Sequence, residues 1–272
     1  VKTKADTIKI PYKSGDTIKL KPVGDIHFGS RHCDVKALKR FLGEPEPQTY
    51  LIGMGDWLDC IIVGDVKRYR KSGDGSEGEE IVDEQVDSLV DIMRPFAPQI
   101  IGIGTGNHED TITKHCGTNP ARRMADLLGV PYLGYSFLLR LMFTLGDGNG
   151  GGRTVVVRGH HGFGGGSRTQ GADLTKFSKD MAYFDADVFL YGHVHRLQCD
   201  TVPRLALRGD ALIAKPKHLC ICGTFLKTYS DSTDVTYSEA KGYPPVSLGG
   251  LEISIKPDSH AWCDINVSTW RA

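Results

Sequence analysis

No stretch of this chain stays apolar for the roughly 20 residues that a bilayer-spanning helix needs. Its first residues, charged at Lys2, Lys4 and Asp6, hold no apolar core of the secretory kind. A cytoplasmic address is therefore expected, with no membrane partner. Net charge is missing as well: Lys and Arg together number 33, and so do Asp and Glu. A chain without a global field is not drawn as a whole to nucleic acid or to an anionic surface, so any attraction to phosphate must be local. The seven cysteines are odd in number and include no C-x-x-C pair, which argues against a disulfide framework and a structural zinc ribbon. Cys220 and Cys222, two apart in an apolar run, are expected on one face of a strand as packing residues.

What is present is an ordinary globular composition, 40% apolar and 24% charged, in 272 residues. That length suits one large α/β domain over the whole of 1–272, with a sheet-rich part from 197 onward. Residues 16 to 23 alternate as a strand does and end at Gly24-Asp25, after which Asp34 is placed to cap a helix through Phe41. Residues 49 to 54 (T-Y-L-I-G-M) form a short buried strand closing on Gly55-Asp56. Between Ile61 and Glu80 the chain is polar and glycine-rich, which reads as an exposed rim loop. Ile81, Val82, Val86, Leu89, Val90 and Met93 then recur at helical spacing, until Pro95.

Residues 99 to 103 make a third buried strand, closing on Gly106-Asn107-His108-Glu109, and Asn119-Pro120 has the form of a cap and first turn for a helix through Leu128. Strands at 136–145 and 153–158 follow, joined by a glycine-rich turn, the second ending at Gly159-His160-His161. A helix from Ala172 to Phe184 precedes a strand at 187–191 that stops at Gly192-His193-Val194-His195. Four further short strands are expected at 211–214, 218–223, 251–255 and 263–267.

Five times, then, an apolar run ends in glycine followed by Asp, Asn or His. In α/β sheets ligands bind where the carboxyl ends of strands meet, so the five clusters are expected to converge. Carboxylate, amide and imidazole together suit Mn, Fe, Co, Ni or Zn better than Ca or Mg. Seven candidate ligands exceed one tetrahedral shell, whereas two ions roughly 3.5 to 4 Å apart and sharing a carboxylate would use them all.

In this order the residues resemble the calcineurin-like metallophosphoesterases, whose pattern is D-x-H, G-D-x-x-D, G-N-H-[DE], a histidine, and G-H-x-H. Here these are Asp25-Ile26-His27, Gly55-Asp56-Trp57-Leu58-Asp59, Gly106-Asn107-His108-Glu109, His160-His161-Gly162 and Gly192-His193-Val194-His195, spanning about residues 20 to 196. The resemblance implies an α/β fold, a β-sandwich of two mixed sheets flanked by helices. It implies that Asp25, His27 and His195 hold one divalent ion, that Asn107, His161 and His193 hold the other, and that Asp56 bridges them. His161 precedes a glycine, as the family's isolated histidine does; His160 is the alternative, because adjacent strand residues face opposite ways.

The ion pair would lower the pKa of water toward neutrality and supply a hydroxide to phosphorus. His108 resembles the family's general acid, and a carboxylate beside an imidazole favours its protonated form, so Asp59 would orient and charge it; alternatively Asp59 only caps a turn. The loop from Phe163 to Gly171 offers Arg168 as a grip for a phosphate oxygen, or else is a linker with a solvated arginine. Its G-G-G-x-R-T run resembles phage-encoded members, which would place the protein in a host cytoplasm.

The protein phosphatases of the family carry arginine before G-N-H-E and lack G-H-x-H, whereas this chain has Thr105 and the intact His193-Val194-His195. The resemblance thus favours a phosphodiesterase acting on nucleotide or nucleic-acid diesters, such as cyclic nucleotides. Lys67 to Lys71, with Tyr69 for stacking, would serve a nucleic acid, or would be a solvated loop. A phosphomonoesterase or protein phosphatase, and a catalytically silent binding module, are the other readings.

Overall fold

Alternation of apolar residues decides which face each strand buries, and here it yields two sheets with apolar residues on both faces. The computed structural model describes residues 5–62, 81–146, 152–230, 235–258 and 263–272. Strands run over Ala5–Tyr12 (β1), Ile18–Val23 (β2), Thr49–Gly53 (β3), Ile100–Gly104 (β4), Tyr132–Gly134 (β5), Ser136–Leu145 (β6) and Arg153–His160 (β7). They continue with Val188–Tyr191 (β8), Leu197–Val202 (β9), Leu205–Arg208 (β10), Ala211–Ala214 (β11), Lys217–Cys222 (β12), Gly249–Lys256 (β13) and Asp264–Arg271 (β14). The α-helices are Val35–Leu42 (α1), Ile81–Met93 (α2), Asn107–Cys116 (α3), Pro120–Leu128 (α4), Ala172–Ser178 (α5) and Tyr237–Lys241 (α6).

One six-stranded sheet has the order β1-β6-β7-β8-β12-β9, the other β14-β13-β2-β3-β4-β5, and both mix parallel with antiparallel pairs. Their inner faces share a core that includes Ile10, Ile18, Leu20, Leu141, Phe143, Val157 and Ile253. On the outer face of the second sheet, Phe41, Leu51, Leu89, Met93 and Ile103 join α1, α2 and α4 to the strands. On the outer face of the first, Phe177 of α5 stacks on Tyr191 of β8 with ring centroids 4.2 Å apart. The layers are therefore helix, sheet, sheet, helix, as the sequence led one to expect. No helix among the described residues is long and apolar enough to cross a membrane.

The expected caps form: the Asp34 side chain accepts from Ala37 N–H and the Asn119 side chain from Arg122 N–H. Elements β5, β9, β10 and α6 have no expected counterpart, and three others differ from expectation. Strand β1 was not anticipated, because Pro11 weakens its pattern; it is tolerated since β1 is an edge strand. The polar run after Gly106, where no helix is expected, forms helix α3, which buries only Glu109 and Ile112 and so shows no apolar period. The helix expected through Phe184 ends at Ser178 and continues as a 3-10 turn over Lys179–Ala182. Cys220 and Cys222 are buried in β12, as expected. Of the loop between Ile61 and Glu80, positions 63–80, with Lys67 to Lys71 and Tyr69, lie outside the described residues, as do positions 147–151 of the glycine-rich turn.

Register sets the ends of the strands level. In the second sheet β2, β3 and β4 are parallel neighbours, with Val23 opposite Gly53. In the first, β7, β8 and β12 are parallel neighbours, with His160 opposite Tyr191 and Tyr191 opposite Ile221. All five glycine-ended clusters consequently leave the sheets at one edge.

Candidate metal centre

The loops at that edge are bonded to one another before any side chain is considered. Asp25 N–H donates to Gly55 O at 2.9 Å, Ile26 N–H to Asp56 O at 2.8 Å, and Gly192 N–H to His161 O at 2.8 Å. The glycines permit this closeness: a Cβ on Gly106 would collide with the Asp56 carboxylate, and one on Gly192 would lie 2.8 Å from Asp25 Oδ2. Asp25, His27, Asp56, His193 and His195 all have positive φ, between 47° and 70°. Left-handed backbone costs a residue with a Cβ roughly 1–2 kcal/mol. Among the described residues only Gln48 and Cys60 share it without being candidate ligands, so the strain is concentrated where the donors are.

The side chains converge. Asp25, His27 and His195 can offer one donor atom each, all within 4.8 Å of one another, and so can Asp56, His161 and His193. Asn107 completes the second group, its Oδ1 lying 3.0 Å from His161 Nε2 and 2.6 Å from His193 Nδ1. Asp56 lies between the groups: its Oδ2 is 3.3 Å from His161 Nε2 and 3.9 Å from His27 Nε2. His27 Nε2 faces His195 Nε2 at 3.1 Å. His161 donates from Nδ1 to Met54 O at 2.9 Å, which turns Nε2 into the cluster. His160 is not part of it; its Nδ1 accepts from Gly162 N–H at 2.8 Å.

The donor set fits divalent cations on two further grounds. Asp25 Oδ1 is buried without a hydrogen-bond partner, 3.5 Å from His195 Nε2, and a polar atom so placed asks for a ligand. Burial pushes the Asp25 carboxyl well above the carboxylate range, and Asp56 adds to this against the opposing pull of His161. His161 and the His193 N–H offset that charge only in part, which leaves a role for a cation. Burial, with His108 adding to it, lowers His27 to about 3, and burial with His27 lowers His195. Burial and His161 also lower His193, so these three imidazoles are neutral donors near pH 7. His161 is the exception: burial lowers it, but the Asp56 carboxylate outweighs burial and raises it to about 10, and His161 in turn holds Asp56 low against the effect of burial.

His108, at the start of α3, offers a nitrogen that groups with a nitrogen of His27 and a carboxylate oxygen of Asp56. Its Nδ1 donates to the backbone carbonyl of Asp59 at 2.5 Å, while the Asp59 carboxylate is 3.9 Å from that nitrogen and 3.5 Å from His27 Nδ1. The carbonyl, rather than the carboxylate, is what orients His108. Arg168 is exposed and donates to Lys241 O at 2.8 Å and Gly242 O at 3.2 Å; it ties the glycine loop to the end of α6 and does not face the donors.

Two contributors were not read from the sequence. The buried Glu109 carboxylate accepts from Asp56, Leu58 and Gly106 N–H at 3.1, 3.0 and 2.8 Å, folding the second cluster onto the third. Thr224 Oγ1 donates to Asp25 O at 2.7 Å, beside Phe225 N–H at 3.1 Å. Its signal was legible: Cys222-Gly223-Thr224 is a sixth apolar run ended by glycine and a polar residue.

A cavity of about 680 Å³ opens over the donors. Its floor includes His27, Asp56, Asn107 and His195, and its walls come from Gly164 to Ser167 and from the segment after β12.

No family model and no curated protein matches the chain. Among solved structures, vacuolar protein sorting 29 from Cryptosporidium parvum is 12% identical with a TM-score of 0.40, over 94% of this chain and 99% of that one. Wild-type Vps29 from Entamoeba histolytica, complexed with Zn2+, is 11% identical with a TM-score of 0.34, over 93% and 99%. A conserved uncharacterised protein from Streptococcus pneumoniae, described as a predicted phosphoesterase, is 14% identical with a TM-score of 0.32, over 94% and 91%.

Proposed function

We propose that the chain is a metal-dependent phosphodiesterase of the calcineurin-like kind, acting on nucleotide or nucleic-acid diesters. The observation that carries this reading is the pair of adjoining donor groups, Asp25/His27/His195 and Asn107/His161/His193, meeting at one buried carboxylate, Asp56, on strained backbone. A bridging carboxylate between two imidazole-rich groups suits two divalent transition ions, of the series Mn, Fe, Co, Ni and Zn. Such ions, when bound, lower the pKa of water and offset charge on phosphoryl oxygens.

The chain's own part is to aim and to move a proton. His108 Nδ1–H is committed to the Asp59 carbonyl, so Nε2 carries the proton that its imidazolium can give to the departing alkoxide. Asp56 Oδ1 accepts from His108 N–H at 2.9 Å, which couples the bridging carboxylate to the start of α3 and fixes the acid relative to the donors. The shared cavity wall at Gly164 to Gly166 brings backbone, without side-chain bulk, close to where a phosphoryl group would lie.

Turnover of bis-para-nitrophenyl phosphate and para-nitrophenyl phosphate by protein loaded with Mn, Ni, Co or Zn tests the reading. The diester should be hydrolysed several-fold faster than the monoester. A preference for the monoester would make the chain a phosphomonoesterase, and no turnover with any of the four ions would make it a binding module.

A further inference from the structure

The cavity over the donors has a second side, built by the segment after β12, that hydrolysis alone does not require. Beyond Asp56 and Asp59 of the centre, its charged lining residues among the described ones are Arg31, Arg196, Lys227 and Lys241; Arg196 lies 3.8 Å from Asp173 and Lys227 3.6 Å from Asp34, neither of which lines the cavity. Into the same space come Tyr237, 64% exposed, and Tyr243, with ring centroids 6.5 Å apart. Lys241 Nζ lies 5.9 Å from the centroid of Tyr237. An exposed tyrosine ring backed by cations is poor surface for water but good surface for a planar ring attached to an anion.

This wall is a built structure. Helix α6 opens with a capping box in which Thr236 and Glu239 satisfy each other's backbone N–H. Thr236 Oγ1 donates to Thr228 O at 2.5 Å, Val246 N–H to Thr228 Oγ1 at 3.2 Å, and Tyr229 OH to Tyr243 O at 2.9 Å. On its far side Arg168 fastens the carboxyl end of α6 to the glycine loop that follows His161. The Tyr243 hydroxyl rests over Gly165, where a Cβ would come within 3.3 Å of it. The wall is therefore held at a fixed place beside the donors from both flanks.

We propose that this wall is the recognition face of the centre, taking the nucleobase of a nucleotide-sized phosphodiester on Tyr237 and Tyr243 while the cations draw its anionic side. The inference rests on the phosphodiesterase reading and deepens it to a substrate class. A cavity of about 680 Å³ is within the range that holds one ligand of nucleotide size. Arg168 is here a positioning residue, acting through α6.

Titration calorimetry of the full chain with adenosine 5′-monophosphate and with methyl phosphate tests it, since the two carry the same phosphate and their ratio reads the nucleoside alone. The nucleotide should bind at least about tenfold tighter, the size of one stacked base. Tyr237→Ala should bring the ratio toward one and Tyr237→Phe should keep it. So should Tyr183→Ala, at a residue 81% exposed that does not line the cavity. Equal affinities in the parent, or a ratio that survives Tyr237→Ala combined with Tyr243→Ala, would overturn the proposal. An affinity that keeps climbing with the length of an oligothymidylate would overturn its size limit. Because the readout is binding, the two readings can fail separately: nucleotide preference without ester hydrolysis removes the diesterase and keeps the wall, and hydrolysis without preference does the reverse.

Discussion

His108 has one nitrogen spoken for by a main-chain carbonyl, as His161 has, but it is not one of the seven candidate ligands, so its other nitrogen is left for proton transfer. An acid that protonates a leaving group matters most when that group is a poor one. His108→Ala should therefore retain metal while turnover falls by about 10²–10⁴ on an alkyl ester and much less on a para-nitrophenyl ester; equal losses on both would remove the acid role. His161 carries a second consequence. Asp56 raises it to about 10, above the 6.5 of a free imidazole, so its ion pair stabilises the metal-free fold fully below pH 6.5 and is lost as pH rises through about 10. A cation that takes His161 as a ligand must expel that proton. Metal affinity should accordingly rise with pH between 6.5 and 9, by about tenfold per unit for each proton expelled. Calorimetry in two buffers of different ionisation enthalpy would count the proton, and a pH-independent affinity would take His161 out of the ligand set.

Helix α3 owes its place to one side chain that the sequence shows but does not explain. Glu109 is fully buried, and it accepts from three main-chain N–H groups that belong to two loops. Removing a buried acceptor strands its donors, at about 1–3 kcal/mol each. Glu109→Ala should cost about 3 kcal/mol or more by that count and lower metal affinity with it; a melting temperature within about 2 °C of the parent would show that the loops hold themselves. Elements with a strong period were legible in advance: α2, with Val86, Leu89, Val90 and Met93 buried, and the strands β2, β3, β4, β7 and β8 that end in glycine. Helix α3 was not, because a helix that buries only Glu109 and Ile112 has no stripe to read. Nor was α6, a short helix defined by its cap. Of the site, the glycine-ended clusters told which residues would meet. They did not tell that a carbonyl orients His108 or that Arg168 turns to α6, since both depend on where separate elements come to rest.

At the scale of the molecule the centre lies on the seam between the two sheets. Asp25, His27, Asp56 and Asn107 follow strands of one sheet; His161, His193 and His195 follow strands of the other. Protein bonds across this seam include His193 N–H to Asp25 Oδ2 at 2.8 Å and Thr224 Oγ1 to Asp25 O at 2.7 Å. Without a cation the seam also keeps left-handed backbone at five residues and a buried, unpartnered oxygen on Asp25. A ligand that binds only the folded chain stabilises it by about 2.7 kcal/mol at a hundred times its dissociation constant. For a chain of this size each such kcal/mol is worth about 2–4 °C. Melting temperature should therefore climb by several degrees from chelator to excess Mn or Zn, and hydrogen exchange should slow after β2 and after β8 together, because the seam tightens as one. Asp56→Asn, which removes the shared carboxylate charge, should abolish most of that climb, whereas Arg168→Ala, on the outer wall, should leave it intact. A climb of equal size in Asp56→Asn would place the cation somewhere other than the seam. Slowing confined to one sheet would mean that a single donor group is filled.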